Sequence, residues 1–240
     1  MPTIKERIDD YLGFDSSKLF VNNLVRVFGG AVRDCIAGMP INDIDVMVGA
    51  KARFSVMAVL KSEGYQVTEY LCGRDLTAMY LGTKAVCEPT TMVKGHSVVQ
   101  LIRPAGSLVS ATHRKASSSE ILALYEKAFH FMLSNVDITC CGVSWDGSTL
   151  YENLPGAVGH CLTKTFNINR GGSMYQMDRI HHRTQKLLSR GWRELSPAKA
   201  RDAKIEVLFS DDPTPAFVPE YTSLQAFEKA LHSIPIRSSV

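Results

Sequence analysis

"FGGAVRDCIAGMPINDIDVMV", residues Phe28 to Val48, sets a Gly-Gly pair and then two aspartates, Asp43 and Asp45, within a mostly apolar stretch. "LVRVF" (24–28) reads as a strand ending at Gly29-Gly30, "AVRDCIAG" as a short helix closed by Gly38, and "IDVMV" as the next strand. Side chains alternate along a strand, so Asp43 and Asp45 share one face while Ile44 and Val46 take the other. Burying charge is expensive unless something pairs with it. Two carboxylates ~7 Å apart on one face can hold Mg²⁺, and such ions clamp a triphosphate and activate a hydroxyl for in-line attack. The alternative is two exposed acids on an edge strand, matched with Arg33 or Lys51. Gly29 and Gly30 add to the metal reading, because backbone N–H groups at a helix N-terminus receive anions and glycine has no Cβ to hold a phosphate away. A tight turn is the plainer role for the same two residues.

Outward from this stretch, strand and helix signals alternate. A first helix fits Ile4 to Leu12, and another crosses "RFSVMAVLKSEG" and stops at Gly64. "YQVTEYL" is a third strand and "HSVVQLIRP" a fourth, ended by Pro104. "SSSEILALYEKAFHFML" (117–133) has a serine cap, Glu120 at the capping-box position and apolar residues at helical spacing. "NVDITCCGVSWDG" reads as a strand closed by an Asp-Gly turn, with "STLYE" as its hairpin partner. The expected class is therefore α/β of the α+β kind, a mixed sheet with packed helices over residues 1–165. From "RGGSMYQMDRIHHRTQKLLSRGW" onward the signal is helical, so residues 166–240 are expected to form a mainly helical extension ending in "SLQAFEKALHSI".

The chain of 240 residues is 45% hydrophobic and 21% charged, ordinary for a globular protein able to bury a core. It has no apolar run of about 18 residues and no apolar signal core near Met1, which predicts a cytoplasmic protein with no membrane contact. The six cysteines form no C-x-x-C pair, and Cys140 and Cys141 are expected on opposite faces of a strand as small core residues. The seven histidines show no ligand spacing, so no zinc centre is expected; His181 and His182 read as one buried or stacking ring beside one solvated ring. The net charge of +3 is small, but its distribution is uneven. Arg179, Arg183, Lys186 and Arg190 recur at intervals of four, three and four, which aligns them on one helix face. Ile180, Leu187 and Leu188 lie towards another face, where they can dock on the sheet domain. A basic stripe beside a cleft suits an RNA or DNA backbone; a solvated face is the alternative.

"GGAVRDCIAGMPINDIDVMV" resembles the nucleotidyltransferase motif of class II CCA-adding enzymes and bacterial poly(A) polymerases, in the DNA polymerase beta superfamily. Its elements fall on Gly29, Gly30, Val32, Arg33, Asp34, Gly38, Asp43 and Asp45. "NVDITCCGVSWDG" is similar to the family segment Arg-Arg-Asp-Phe-Thr-x-Asn-Ala, with Asp137 and Thr139 matching, Trp145-Asp146 as the closing pair, and Asn135, Val136 and Cys141 departing from it. "MDRIHHRTQKLLSRGW" resembles the helix in which the family reads the base edge with Glu-Asp-x-x-Arg. Asp178, Arg179 and Gly191-Trp192 match it, whereas Met177 replaces the glutamate and His181 the arginine.

The resemblance implies a nucleotidyltransferase head that adds a nucleotide from an NTP, ATP or CTP foremost, to an RNA 3′-hydroxyl (tRNA being one such RNA) without a template. Pyrophosphate would leave. It assigns Asp43 and Asp45 to catalysis through two Mg²⁺ ions. It places Gly29, Gly30, Arg33, Asp137, Asp178 and Arg179 on the nucleotide, with Asp137 alternatively a further metal ligand or a residue bonding a turn. Arg183, Lys186 and Arg190 would face RNA. Two other readings stay open: transfer of the nucleotide to a small-molecule or protein hydroxyl, and a non-catalytic module that binds nucleotide or RNA.

Overall fold

The computed structural model describes residues 2–22, 24–70, 88–103, 129, 133, 136–169 and 174–195, without side chains at 50, 51, 69, 70, 88, 89, 103 and 174–179. Seven strands form a mixed sheet: β1 (Val25–Phe28), β2 (Ile44–Val48), β3 (Gln66–Tyr70), β4 (Glu88–Lys94), β5 (Ser97–Arg103), β6 (Val143–Trp145) and β7 (Leu150–Glu152). Their order is β3-β4-β5-β2-β1-β6-β7, which makes β2 the central strand. Among the described residues, β2 and β5 run parallel and the other pairings of this sheet are antiparallel. The α+β class read from the sequence is the one observed.

One face of the sheet carries the main core. Val25, Val27, Ile44, Val46, Val48, Met92, Val99 and Leu101 belong to it. Helices α1 (Ile4–Leu12), α2 (Gly30–Ile36) and α3 (Ala50–Ser62) supply Ile8 and Leu12, Val32, and then Ala52, Val56 and Leu60 to the same core. The α3 spacing of four is that of a single helix face. Fully burying each such Val, Leu or Ile contributes about 1.5–3 kcal/mol, so β2 is fixed from the Ile44 side. The opposite face buries Phe28, Met47 and Ile102, which lie outside that cluster. The helix expected over 117–133 lies outside the described residues except for Phe129 and Leu133, both helical and fully buried.

Four local expectations are corrected. First, β4 was not foreseen: Pro89 and a Thr-Thr pair obscure its alternation, and Gly95, at φ +58°, makes the two-residue turn that pairs Lys94 with Ser97. Second, "NVDITCCGVSWDG" is not one strand. A 3₁₀ turn over Thr139–Cys141 precedes β6, so Cys140 and Cys141 are buried in a turn and not on alternate strand faces. Third, Leu188 is 40% exposed, whereas Ile180, Thr184 and Leu187 form the buried face of α5 (Met174–Ser189). Fourth, His181 and His182 are both exposed, so neither ring is buried.

A short helix, α4 (Ala157–Thr163), follows β7, its start capped by Glu152, which accepts from the N–H of Val158 at 2.9 Å. After it, β8 (Thr165–Phe166) pairs in parallel with β9 (Arg193–Glu194), which ties the end of α5 back to the sheet domain at the point where the sequence changes character. The "SLQAFEKALHSI" helix lies outside the described residues.

Candidate functional site

Asp43 is the residue just before β2 and Asp45 its second residue. Because Ile44, Val46 and Val48 all enter the main core, strand alternation turns the Asp45 carboxylate to the other face, and Asp43 stands two positions before it at the entry to the strand. Both are half-buried. Asp45 sits opposite Phe28 on β1 and opposite Gln100 on β5. Gln100 is a polar residue inside the apolar run "SVVQLIR", and that interruption was the sequence signal for a residue beside the pair.

The backbone at Gly29 brings the β1–α2 turn to the same place. Gly29 has φ +66° and ψ −127°, which L side chains rarely adopt, and a Cβ built there would lie 4.0 Å from Asp45 Oδ2. The turn is held by Gly29 N–H donating to Val143 O at 3.0 Å. At Gly30 an added Cβ would meet Arg33 Nη2 at 3.6 Å. Arg33 is buried. Its Nε and Nη2 donate to Asp34 at 2.8 and 3.0 Å, Nη1 lies 3.3 Å from Cys141 Sγ, and the guanidinium stacks over Trp192 at 5.3 Å. The arginine expected on the triphosphate is thus engaged by its own neighbour in the chain, close to the glycine turn.

The loop from Met39 to Asn42, which delivers Asp43, is held from both sides. From α1, Arg7 Nη2 donates to Met39 O, and the Tyr11 hydroxyl donates to Asn42 O at 2.6 Å. From the end of α5, Arg190 Nη2 donates to Pro40 O at 2.8 Å and Trp192 Nε1 donates to Met39 Sδ at 3.1 Å. Tyr11 also accepts from Val98 N at 2.9 Å. Burial, with the Asp43 charge adding to it, raises the Tyr11 pKa, so its hydroxyl keeps its proton. None of these four donors carried a sequence signal for this role.

The basic stripe divides. Lys186 is exposed, but Arg183 Nη1 is paired with Asp137 Oδ1, and Arg190 Nη1 donates to Asp34 Oδ2 at 3.0 Å. Two of the three cations expected on RNA therefore face the sheet domain, and Asp137 meets α5 through Arg183. Asp178 and Arg179 lie on the α5 backbone, with their side chains outside the described residues. Asp146 closes the β6–β7 turn, accepting from Ser148 N, Thr149 N and the Tyr151 hydroxyl; against the upward push of burial, that hydroxyl and the two N–H donors lower its pKa.

Asp43 and Asp45 suit Mg²⁺. That ion is commonly held by one or two carboxylates, with phosphates and water completing its octahedron. Among the described residues no cluster of three or more His, Cys, Asp or Glu side chains is arranged to hold a metal, so this site offers two carboxylates and a close-approaching glycine turn. Among the described residues no helix is long and apolar enough to cross a membrane.

No family model and no curated protein matches the chain. Among solved structures, it is similar to a CCA-adding enzyme in complex with CTP (14% identity, TM-score 0.46, covering 82% of this chain and 43% of that one). It is also similar to the Thermotoga maritima CCA-adding enzyme complexed with tRNA (13%, TM-score 0.43, 81% and 40%). A third is the Bacillus stearothermophilus CCA-adding enzyme in complex with CTP (16%, TM-score 0.39, 82% and 42%). The chain spans less than half the length of each of these three.

Proposed function

We propose that the protein is a metal-dependent nucleotidyltransferase that transfers a nucleoside monophosphate from an NTP to an RNA 3′-hydroxyl, with residues 1–165 as its catalytic head. The observation that carries this reading is the Asp43/Asp45 pair at the start of the central strand, with Asp45 turned away from the core and the Gly29 turn so close that an added Cβ would lie 4.0 Å from Asp45 Oδ2. The acceptor hydroxyl gives up its proton to solvent as its oxygen bonds to the α-phosphorus, the bond to the β-phosphate oxygen breaks, and pyrophosphate leaves. Mg²⁺ held by the two aspartates would supply charge neutralisation and a more acidic acceptor hydroxyl. The chain's own part is positional: β2 fixes the Asp45 carboxylate, the loop before it delivers Asp43, and Gly29 leaves room beside them for the triphosphate. Asp178 and Arg179 at the start of α5 are the residues we assign to the base.

Incubating the protein with Mg²⁺, each labelled NTP and bulk RNA tests the proposal: label should enter RNA and require it. A second acceptor class is favoured by one finding. Arg183 and Arg190 are committed to Asp137 and Asp34, which leaves less free cationic surface for a polyanion. Labelling of a protein or small-molecule hydroxyl without RNA would select that reading.

A further inference from the structure

The chemistry proposed above depends on where Asp43 stands, and Asp43 is not itself inside a strand. It follows a loop whose backbone carbonyls at Met39, Pro40 and Asn42 all accept side-chain donors from other elements. We propose that Tyr11 and Arg190 are positioning residues for the metal-binding carboxylates, fixing from α1 and from the end of α5 the loop that delivers Asp43; this rests on the reading of Asp43 and Asp45 as metal ligands.

The Tyr11 hydroxyl has one proton, and the 2.6 Å contact takes it to Asn42 O, one residue before Asp43. Its oxygen accepts from Val98 N at 2.9 Å, at the start of the strand that pairs in parallel with β2, where Val99 stands opposite Ile44. A single hydroxyl therefore spans the entries of both strands flanking the site. Arg190 does the same from the other side. One terminal nitrogen holds Pro40 O, and the other holds Asp34 of α2, the helix that begins at the Gly29 turn. The planar fork fixes the loop and α2 relative to each other, which a lysine point charge would not do. Hydrogen bonds made to metal ligands themselves are commonly worth about 10–100-fold in metal affinity, and bonds that act through the loop backbone belong at the lower end of that range.

Tyr65 provides the comparison. Its hydroxyl is also buried, donating to Leu12 O at 3.1 Å and meeting Ser97 Oγ at 2.7 Å, so it ties α1 to β5 without touching the loop. The experiment measures Mn²⁺ binding to the full chain by the EPR signal of the free ion, with thermal melting in parallel, for Tyr11→Phe, Arg190→Met, Tyr65→Phe and Asp43→Asn. Tyr11→Phe and Arg190→Met should weaken Mn²⁺ about tenfold, while Tyr65→Phe lowers the melting temperature with Mn²⁺ binding unchanged. If Arg190→Met does not fold, Tyr11→Phe carries the test alone. The positioning role is overturned if Asp43→Asn loses Mn²⁺ but the two variants bind it like wild type, whether or not Arg190→Met loses RNA. If Asp43→Asn binds Mn²⁺ like wild type, the reading of the carboxylate pair itself falls and takes the proposal with it.

Discussion

Arg190 and Asp34 are 156 residues apart in the chain, yet Nη1 of one lies 3.0 Å from Oδ2 of the other. Asp34 is 2% exposed and also accepts two bonds from Arg33, so one buried carboxylate holds two guanidiniums. Removing one partner from a buried ionic group leaves uncompensated charge, which is costlier than never having built the group.

Asp34→Asn should therefore destabilise the protein by about 3–5 kcal/mol. Urea denaturation of the variant against wild type checks it. A change below about 0.5 kcal/mol, the level of an ordinary surface substitution, would mean that Arg33 and Arg190 are satisfied without Asp34.

Gly29→Ala places a Cβ in a left-handed backbone conformation and 4.0 Å from Asp45 Oδ2. The strain should cost about 1–3 kcal/mol, and, on the proposed function, nucleotide transfer should fall more steeply than stability because the methyl group enters the space assigned to the triphosphate. Comparing the melting temperature with kcat/KM at a temperature where both proteins are folded separates the two effects.

The backbone layout of the candidate site was legible because its signals are local. The sequence of strand, Gly-Gly, short helix and Asp-x-Asp fixes side-chain direction through the period of two, and Ile44 and Val46 confirm the buried side. The α5 stripe was legible only as a face. Period 3.6 shows that Arg183 and Arg190 align but not what they face, and the acids that claim them, Asp137 and Asp34, are distant in sequence. The 3₁₀ turn at Thr139–Cys141 was missed because a β-favouring composition hid a backbone change set by tertiary bonds, among them Thr139 N–H to Asn167 O at 3.0 Å. Tyr11 could not be singled out, since an amphipathic helix places tyrosines on its flank for many reasons.

Lys186→Glu should weaken RNA binding and reduce its salt dependence without loss of stability, because this side chain is exposed. Arg183→Glu differs: it sets a carboxylate against Asp137 and should lower stability as well. Filter binding across a salt series, with a melting curve for each variant, distinguishes them. An unchanged salt slope in Lys186→Glu would return this part of α5 to a solvated face.

His160 is buried on α4, and burial lowers its pKa below the usual 6.5. Thr163 Oγ1 donates to Gly159 O and so accepts from Thr165 Oγ1, which leaves Thr165 Oγ1 to accept from Nδ1–H of His160 at 3.0 Å. Below pH 6.5 the unfolded chain takes up a proton that the folded protein resists, so stability falls as pH drops through that window and levels off above it. Melting temperatures measured downward from pH 7 should show a shallower decline for His160→Gln than for wild type. Equal slopes would remove His160 as the cause.

The central claim is that Asp43 and Asp45 act in nucleotide transfer. Its most direct measurement is incorporation of labelled NTP into RNA with Mg²⁺ by wild type, Asp43→Asn and Asp45→Asn, each first shown to melt at or slightly above the wild-type temperature, since losing one of two neighbouring negative charges relieves repulsion in the metal-free protein. The account predicts incorporation by wild type and none above background by either variant. Wild-type turnover in either asparagine variant would contradict it.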